Sequence, residues 1–175
     1  GLQFGVTTFY VKCRDSSGSV TSADFLLPIK IYQTCPETTV RTEFFAAPDG
    51  NGLHCGSSAS PWDLTTALQD NSNSANRNYL VKPGATIWLR GGTYGSGGAS
   101  LFTSYLAGQE GQPITLRRFR NERALIDGGI AAYGAWTTFW GFEIHNSSPE
   151  RKVHAVERPG GLNFYGRGHN AINLV

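Results

Sequence analysis

Four side chains in the second half of the chain have the types and spacing to hold a charged sugar. Arg90, Arg117, Trp140 and Tyr165 each sit two residues or fewer beyond the apolar positions of a short strand pattern, and they recur at steps of about 25 residues. If those strands stack in one sheet, the four form an outward column with a spacing of roughly 4.8 Å between strands. A guanidinium pairs with carboxylates in a planar fork, and an indole offers a flat apolar face to a pyranose ring, so the column reads as a substrate-binding surface for an anionic glycan. The competing reading pairs Arg90 and Arg117 with local acids such as Glu110 or Glu122. Arg117, Arg118, Arg120 and Arg123 add a basic turn that reads as solvated surface.

No catalytic residue can be assigned from the sequence. Asp127 and Glu143 are the nearest carboxylate pair, and they read as turn or surface acids rather than as an acid/base couple. The four histidines, His54, His145, His154 and His169, lack the spacing of a zinc site, so no metal ligands are assigned. His145 and His169, each followed by Asn, read as turn hydrogen-bonders. Nucleophile-elbow and phosphate-loop motifs are absent, and Gly95-Ser96-Gly97-Gly98 reads as a loop. The three cysteines, Cys13, Cys35 and Cys55, suit one disulfide in an exported protein, with Cys35–Cys55 and Cys13–Cys35 both open.

The elements that must position these residues are mostly strands. Residues 1–34 carry two β patterns around Asp15-Ser16-Ser17-Gly18-Ser19, a hairpin-turn composition. A polar linker covers 35–41. A short strand at Thr42–Ala46 leads into Pro48-Asp49-Gly50, and Ser60-Pro61-Trp62-Asp63 reads as the start of a helix running to about Asp70. Beyond Lys82 an irregular repeat appears. Its first apolar ladder is Ile87, Ile114, Thr137, Leu162 and its second is Leu89, Leu116, Phe139, Phe164, with a further set at Ile126, Ile144 and Ile172. Ala171–Val175 reads as a strand in which the chain stops, so the expectation is the N-terminal part of a longer protein.

Composition closes off several classes. The chain has 175 residues with 22 Gly, 12% aromatic and 16% charged side chains, and a net charge of +2. Those values exclude a disordered polyelectrolyte and a coiled coil, and they give no argument for nucleic acid as a partner. No apolar run reaches the roughly 18 residues of a membrane span. A monomer is expected.

Two resemblances add to this reading. The run Lys82-Pro83-Gly84-Ala85-Thr86-Ile87-Trp88-Leu89-Arg90-Gly91-Gly92-Thr93-Tyr94, with Pro113-Ile114-Thr115-Leu116-Arg117 and Leu125-Ile126-Asp127-Gly128-Gly129 after it, resembles the N-terminal cap and first rungs of secreted right-handed parallel β-helix proteins of the pectin-lyase-like kind. Residues 1–34 resemble the last two strands of a bacterial immunoglobulin-like domain. The first resemblance implies an all-β solenoid over 42–175 with a short N-terminal capping helix, preceded by a β-hairpin remnant. It also implies a secreted or cell-surface protein acting on an acidic polysaccharide as a lyase, with calcium a cofactor of later rungs and this segment itself inactive. A glycoside hydrolase on the same fold, or a non-catalytic carbohydrate-binding adhesin, stands as the alternative.

Overall fold

The structure is a computed structural model that describes residues 4–11, 16–19, 25–35, 41–98, 100–149 and 161–175. The chain divides into two compact units, Gly1–Cys35 and Pro36–Val175. Residues 36–40 of the linker, Asp15 of the first hairpin turn, Cys13 and His154 lie outside the described residues.

The first unit is a two-stranded antiparallel hairpin. β1 (Gly5–Val11) pairs with β2 (Phe25–Ile31) in the register Gly5↔Ile31 to Val11↔Phe25. Val6, Tyr10, Leu26 and Leu27 are all exposed, so within this unit the ladder of backbone hydrogen bonds, not apolar burial, holds the strands.

The second unit carries the core. β3 (Glu43–Ala46), β4 (Thr86–Leu89), β7 (Ile114–Arg118), β9 (Thr137–Trp140) and β12 (Asn170–Ile172) lie parallel in one five-stranded sheet. A second sheet is organised on the nine-residue β8 (Ala124–Ala132). Its first half pairs with β5 (Gly92–Tyr94) and β10 (Glu143–His145), and its second half with β6 (Ser100–Ser104) and β11 (Gly161–Phe164). Alternation dictates what is buried. Phe44, Ile87, Leu116 and Phe139 form consecutive inward rungs of the first sheet, and each is fully buried. From the second sheet Ile126, Ile130 and Ala132 meet them in the same apolar cluster.

The expected right-handed β-helix with a helical cap is corrected by this arrangement. The described residues of the second unit form two parallel sheets, and no closed solenoid is found among them. A regular coil needs equal rungs, whereas here a single long strand serves two sets of shorter partners on one side. The repeat of about 25 residues therefore reflects strand stacking without equal turns.

The capping helix is likewise reduced to one α-turn, α1 (Leu64–Ala67), followed by a 3-10 turn at Arg77–Leu80. Pro61 does not open a helix, because Trp62 is drawn into extended backbone beside β3. The Trp62 N–H donates to Phe45 O at 3.0 Å, and Ala47 N–H donates to Trp62 O at 2.9 Å. Its indole stacks on Phe44 at 5.3 Å and 8° and donates Nε1–H to His54 O, so the ring is anchored in the core. Asp63 takes over as the cap, its Oδ1 accepting Thr66 N–H at 2.7 Å.

The strand repeat is also re-sorted. Ile87 opposes Leu116, not Ile114, and the segment 161–164 pairs with β8 while 170–172 pairs with β9, the reverse of the expected sharing. Ile126 and Ile144 do oppose each other, but Ile172 opposes Trp140.

Candidate functional site: an arginine–tryptophan face

The outward rungs of the first sheet build the site. Parallel pairing places Phe45, Trp88, Arg117, Trp140 and Ile172 in one column, one residue from each strand. The Arg117 guanidinium lies between two indoles, 4.9 Å from the Trp88 ring centre and 4.0 Å from that of Trp140. Such cation–π contacts hold the planar group flat and stripped of water on its faces. The Arg117 Nε is buried and has no hydrogen-bond partner among the described residues. Trp88 is fixed from its other end, with Nε1–H donating to Glu43 at 3.2 Å.

Phe119 sits where β7 ends and joins the column to further cations. Trp88 and Phe45 meet its ring edge-on, at 5.7 and 5.4 Å, while Arg90 and Arg120 lie over it at 5.2 and 4.8 Å. Beside Trp140 a groove of about 410 Å³ opens, lined by Arg117, Arg118, Arg120, Glu143 and Asn173 among others. Arg120 and Asn173 both carry positive φ, 51° and 48°. For a residue with a Cβ this conformation is uncommon, and for Arg it is held against a cost of about 1 kcal/mol or more. Asn tolerates the same region at little cost, so the strain on the lip of the groove rests on Arg120.

Charge around the face is unevenly matched. Glu122 accepts Gly91 N–H at 2.6 Å and Arg90 Nε–H at 3.1 Å, and those bonds hold its carboxyl below the ordinary range. Glu143 is gripped by Arg123 at 2.7 Å, and that hydrogen bond lowers its pKa too. Among the described residues Arg117, Arg118 and Arg120 have no ion-pair partner. The groove thus presents three guanidinium groups beside one carboxylate that is already engaged.

The Glu122 geometry gives a pH expectation. Its folded pKa lies below the ordinary 4.5, so its contribution is complete above that value and is lost as pH falls through the lowered one. Chemical-denaturation midpoints should therefore separate wild type from Glu122→Gln at neutral pH and converge in acid. A gap that does not narrow at all as pH falls below 4.5 would show that the carboxylate charge is not what matters.

Of the four residues expected to form one column, three share this face. Arg117 and Trp140 are direct neighbours, and Arg90 joins through Phe119 while remaining paired with Glu122. Tyr165 does not belong to it. It lies beyond β11 in a stack with Tyr133 and Tyr105 on the second sheet. The sequence reading missed Trp88 and Phe119. The W-L-R and R-R-F-R strings held that signal, since Trp88 shares the outward parity of Arg90.

The remaining candidates are structural. Asp127 accepts the N–H and hydroxyl of Ser147, at 2.9 and 2.6 Å, and these bonds lower its pKa. His169 lies beside the Gly134 and Thr137 backbone, short of well-formed hydrogen bonds to either. It stacks on Phe164 at 5.1 Å, its ring nitrogens are buried without geometric partners among the described residues, and burial lowers its pKa. Among the described residues no three His, Cys, Asp or Glu side chains gather as a metal site, so no residue is assigned to calcium. Cys35 and Cys55 are each disulfide-bonded. No helix among the described residues is long and apolar enough to cross a membrane.

No protein-family model, curated protein or solved structure matches the chain. Function must come from the face itself.

Proposed function

We propose that the second unit binds an acidic polysaccharide through the arginine–tryptophan face, as a carbohydrate-binding part of a secreted or cell-surface protein. The observation that carries this is the Arg117 guanidinium, clamped between Trp88 and Trp140 at the edge of a groove lined by two more arginines, Arg118 and Arg120, that form no ion pair among the described residues. A clamped fork keeps its donors for a planar oxyanion, and uronate carboxylates or sulfate esters supply one on each sugar or on alternate sugars. Half-buried indole beside it offers apolar contact to the ring carrying that anion. The disulfide-bonded cysteines suit an exported protein.

Binding, rather than cleavage, is the reading this face supports. The carboxylates nearest to it are all engaged, Glu43 by the Trp88 indole N–H and Glu122 and Glu143 by arginines, which disfavours each as the group that takes a proton from a sugar. Affinity electrophoresis through gels containing polygalacturonate, alginate, chondroitin sulfate or neutral glucan provides the test. Retardation is expected in the acidic gels alone, and it should weaken as salt approaches about 0.5 M, where exposed charges are screened. Equal retardation by the neutral glucan, or free migration through all four gels, would refute the proposal. Release of ultraviolet-absorbing unsaturated uronate by this chain would also refute the restriction to binding.

A further inference from the structure

On the second sheet, away from the column, three tyrosines stand at equivalent places, each just past a strand: Tyr105 after β6, Tyr133 after β8 and Tyr165 after β11. Parallel pairing of those strands lays the rings on one another. Tyr133 and Tyr165 stack with centres 4.5 Å apart and planes 9° from parallel, and Tyr105 and Tyr133 at 5.8 Å and 23°. The rings are nevertheless half exposed, Tyr105 51%, Tyr133 50% and Tyr165 62%. Their facing surfaces cover one another, so the stack cannot take a sugar between its rings. What the stack offers solvent includes ring edges and phenol hydroxyls.

We propose that Tyr133 and Tyr165 form an oxidative cross-linking site, joined as dityrosine by a peroxide-dependent haem peroxidase. Each phenol gives up one electron and its hydroxyl proton to become a phenoxyl radical. The two radicals combine through ring carbons ortho to oxygen, forming one carbon–carbon bond. The hydrogens on those two carbons then transfer to the phenoxyl oxygens as the rings regain aromaticity. In sum two phenols lose two electrons and two protons, and hydrogen peroxide accepts them to give two waters. Face-to-face rings are the geometry from which ortho carbons can meet, and the closer, flatter pair is Tyr133–Tyr165. Because β8 and β11 hold both rings, coupling is intramolecular, and the product links two adjacent strands covalently.

The intact chain at micromolar concentration, treated with horseradish peroxidase and limiting peroxide, tests this. The expected product runs as a monomer, shows blue dityrosine fluorescence, has lost two hydrogens, and yields a linked peptide pair carrying Tyr133 and Tyr165. That pair should exceed any other by about tenfold or more, as tethering at millimolar effective concentration requires. Tyr133→Phe or Tyr165→Phe keeps the ring and should abolish the linked pair, and urea-unfolded chain should lose its preference. Tyr10 is the internal rival: at 72% it is more exposed than any ring of the stack. Dimers linked through Tyr10, or fluorescence undiminished in both Phe variants, would show that exposure alone decides and would overturn the proposal. Absence of dityrosine from folded protein would do the same.

Discussion

Gly128→Ala is expected to unfold the second unit or to cost it about 3 kcal/mol or more, a large share of the few kcal/mol that separate a domain of this size from its unfolded state. Gly128 lies within β8 at φ +136°, where a side chain is rarely tolerated, and a Cβ built there falls deep inside the contact distance of the Ser100 carbonyl. The clash is with backbone, which cannot swing aside. The position matters because it is the point at which β8 exchanges partners. Ser100↔Gly128 opens the pairing with β6, directly after Tyr94↔Ile126 closes the pairing with β5. Losing the close approach would part the two halves of the sheet. Gly97→Ala is the matched comparison, since Gly97 also has positive φ, +67°, but nothing within 4 Å of its would-be Cβ. It should cost only about 1 kcal/mol from the backbone preference. Urea unfolding of the three proteins measures both, and similar midpoints for the two variants would show that the β6 approach is not a constraint.

Arg117→Ala should reduce affinity for acidic polysaccharide by at least tenfold, because a charge-assisted hydrogen bond contributes about 1.5–3 kcal/mol. Stability should also fall, by about 1–2 kcal/mol, since Arg117 makes two cation–π contacts of about 0.5–1 kcal/mol each, so affinities are compared at equal concentrations of folded protein. Arg117→Lys separates two explanations. If charge alone recruited the ligand, lysine would restore binding; if the flat fork between the indoles does so, it will not. Trp140→Ala should weaken binding as well, and the double variant should lose less than the sum, because each group holds the other in place. Quantitative affinity electrophoresis on polygalacturonate gives all four values. Full binding by Arg117→Ala would remove the site from this face.

How far the sequence disclosed these features depends on what each pattern can distinguish. Strand content and inward–outward alternation were legible, because the apolar positions of 44, 87, 116 and 139 repeat with period two. Register was not. Sliding a strand by two residues leaves every side chain on its original face, so aligning Ile87 with Ile114 satisfied the same alternation as the observed Ile87↔Leu116. That slip placed Arg90 in the column where Trp88 stands. Arg117 beside Trp140 survived because β7 and β9 were aligned correctly. Tyr165 was misplaced for a different reason: four-residue strands such as Gly161–Phe164 carry too few apolar positions to say which sheet they join. The helix reading failed at Trp62, whose large ring gains more from stacking on Phe44 than a helical start would return.

The outward column also determines where this chain can change length. One residue added inside β7 would turn Arg117 toward the core and bring Leu116 to the surface, inverting the whole strand. Two would restore the faces but slide the arginine off both indoles. Residues added at the exposed Gly95–Gly97 bend, or at the Gln109–Gln112 turn closed by its own pair of backbone hydrogen bonds, would leave every rung where it is. Descendants of this sequence can therefore differ freely in loop length while keeping an unbroken count of residues through β4, β7 and β9.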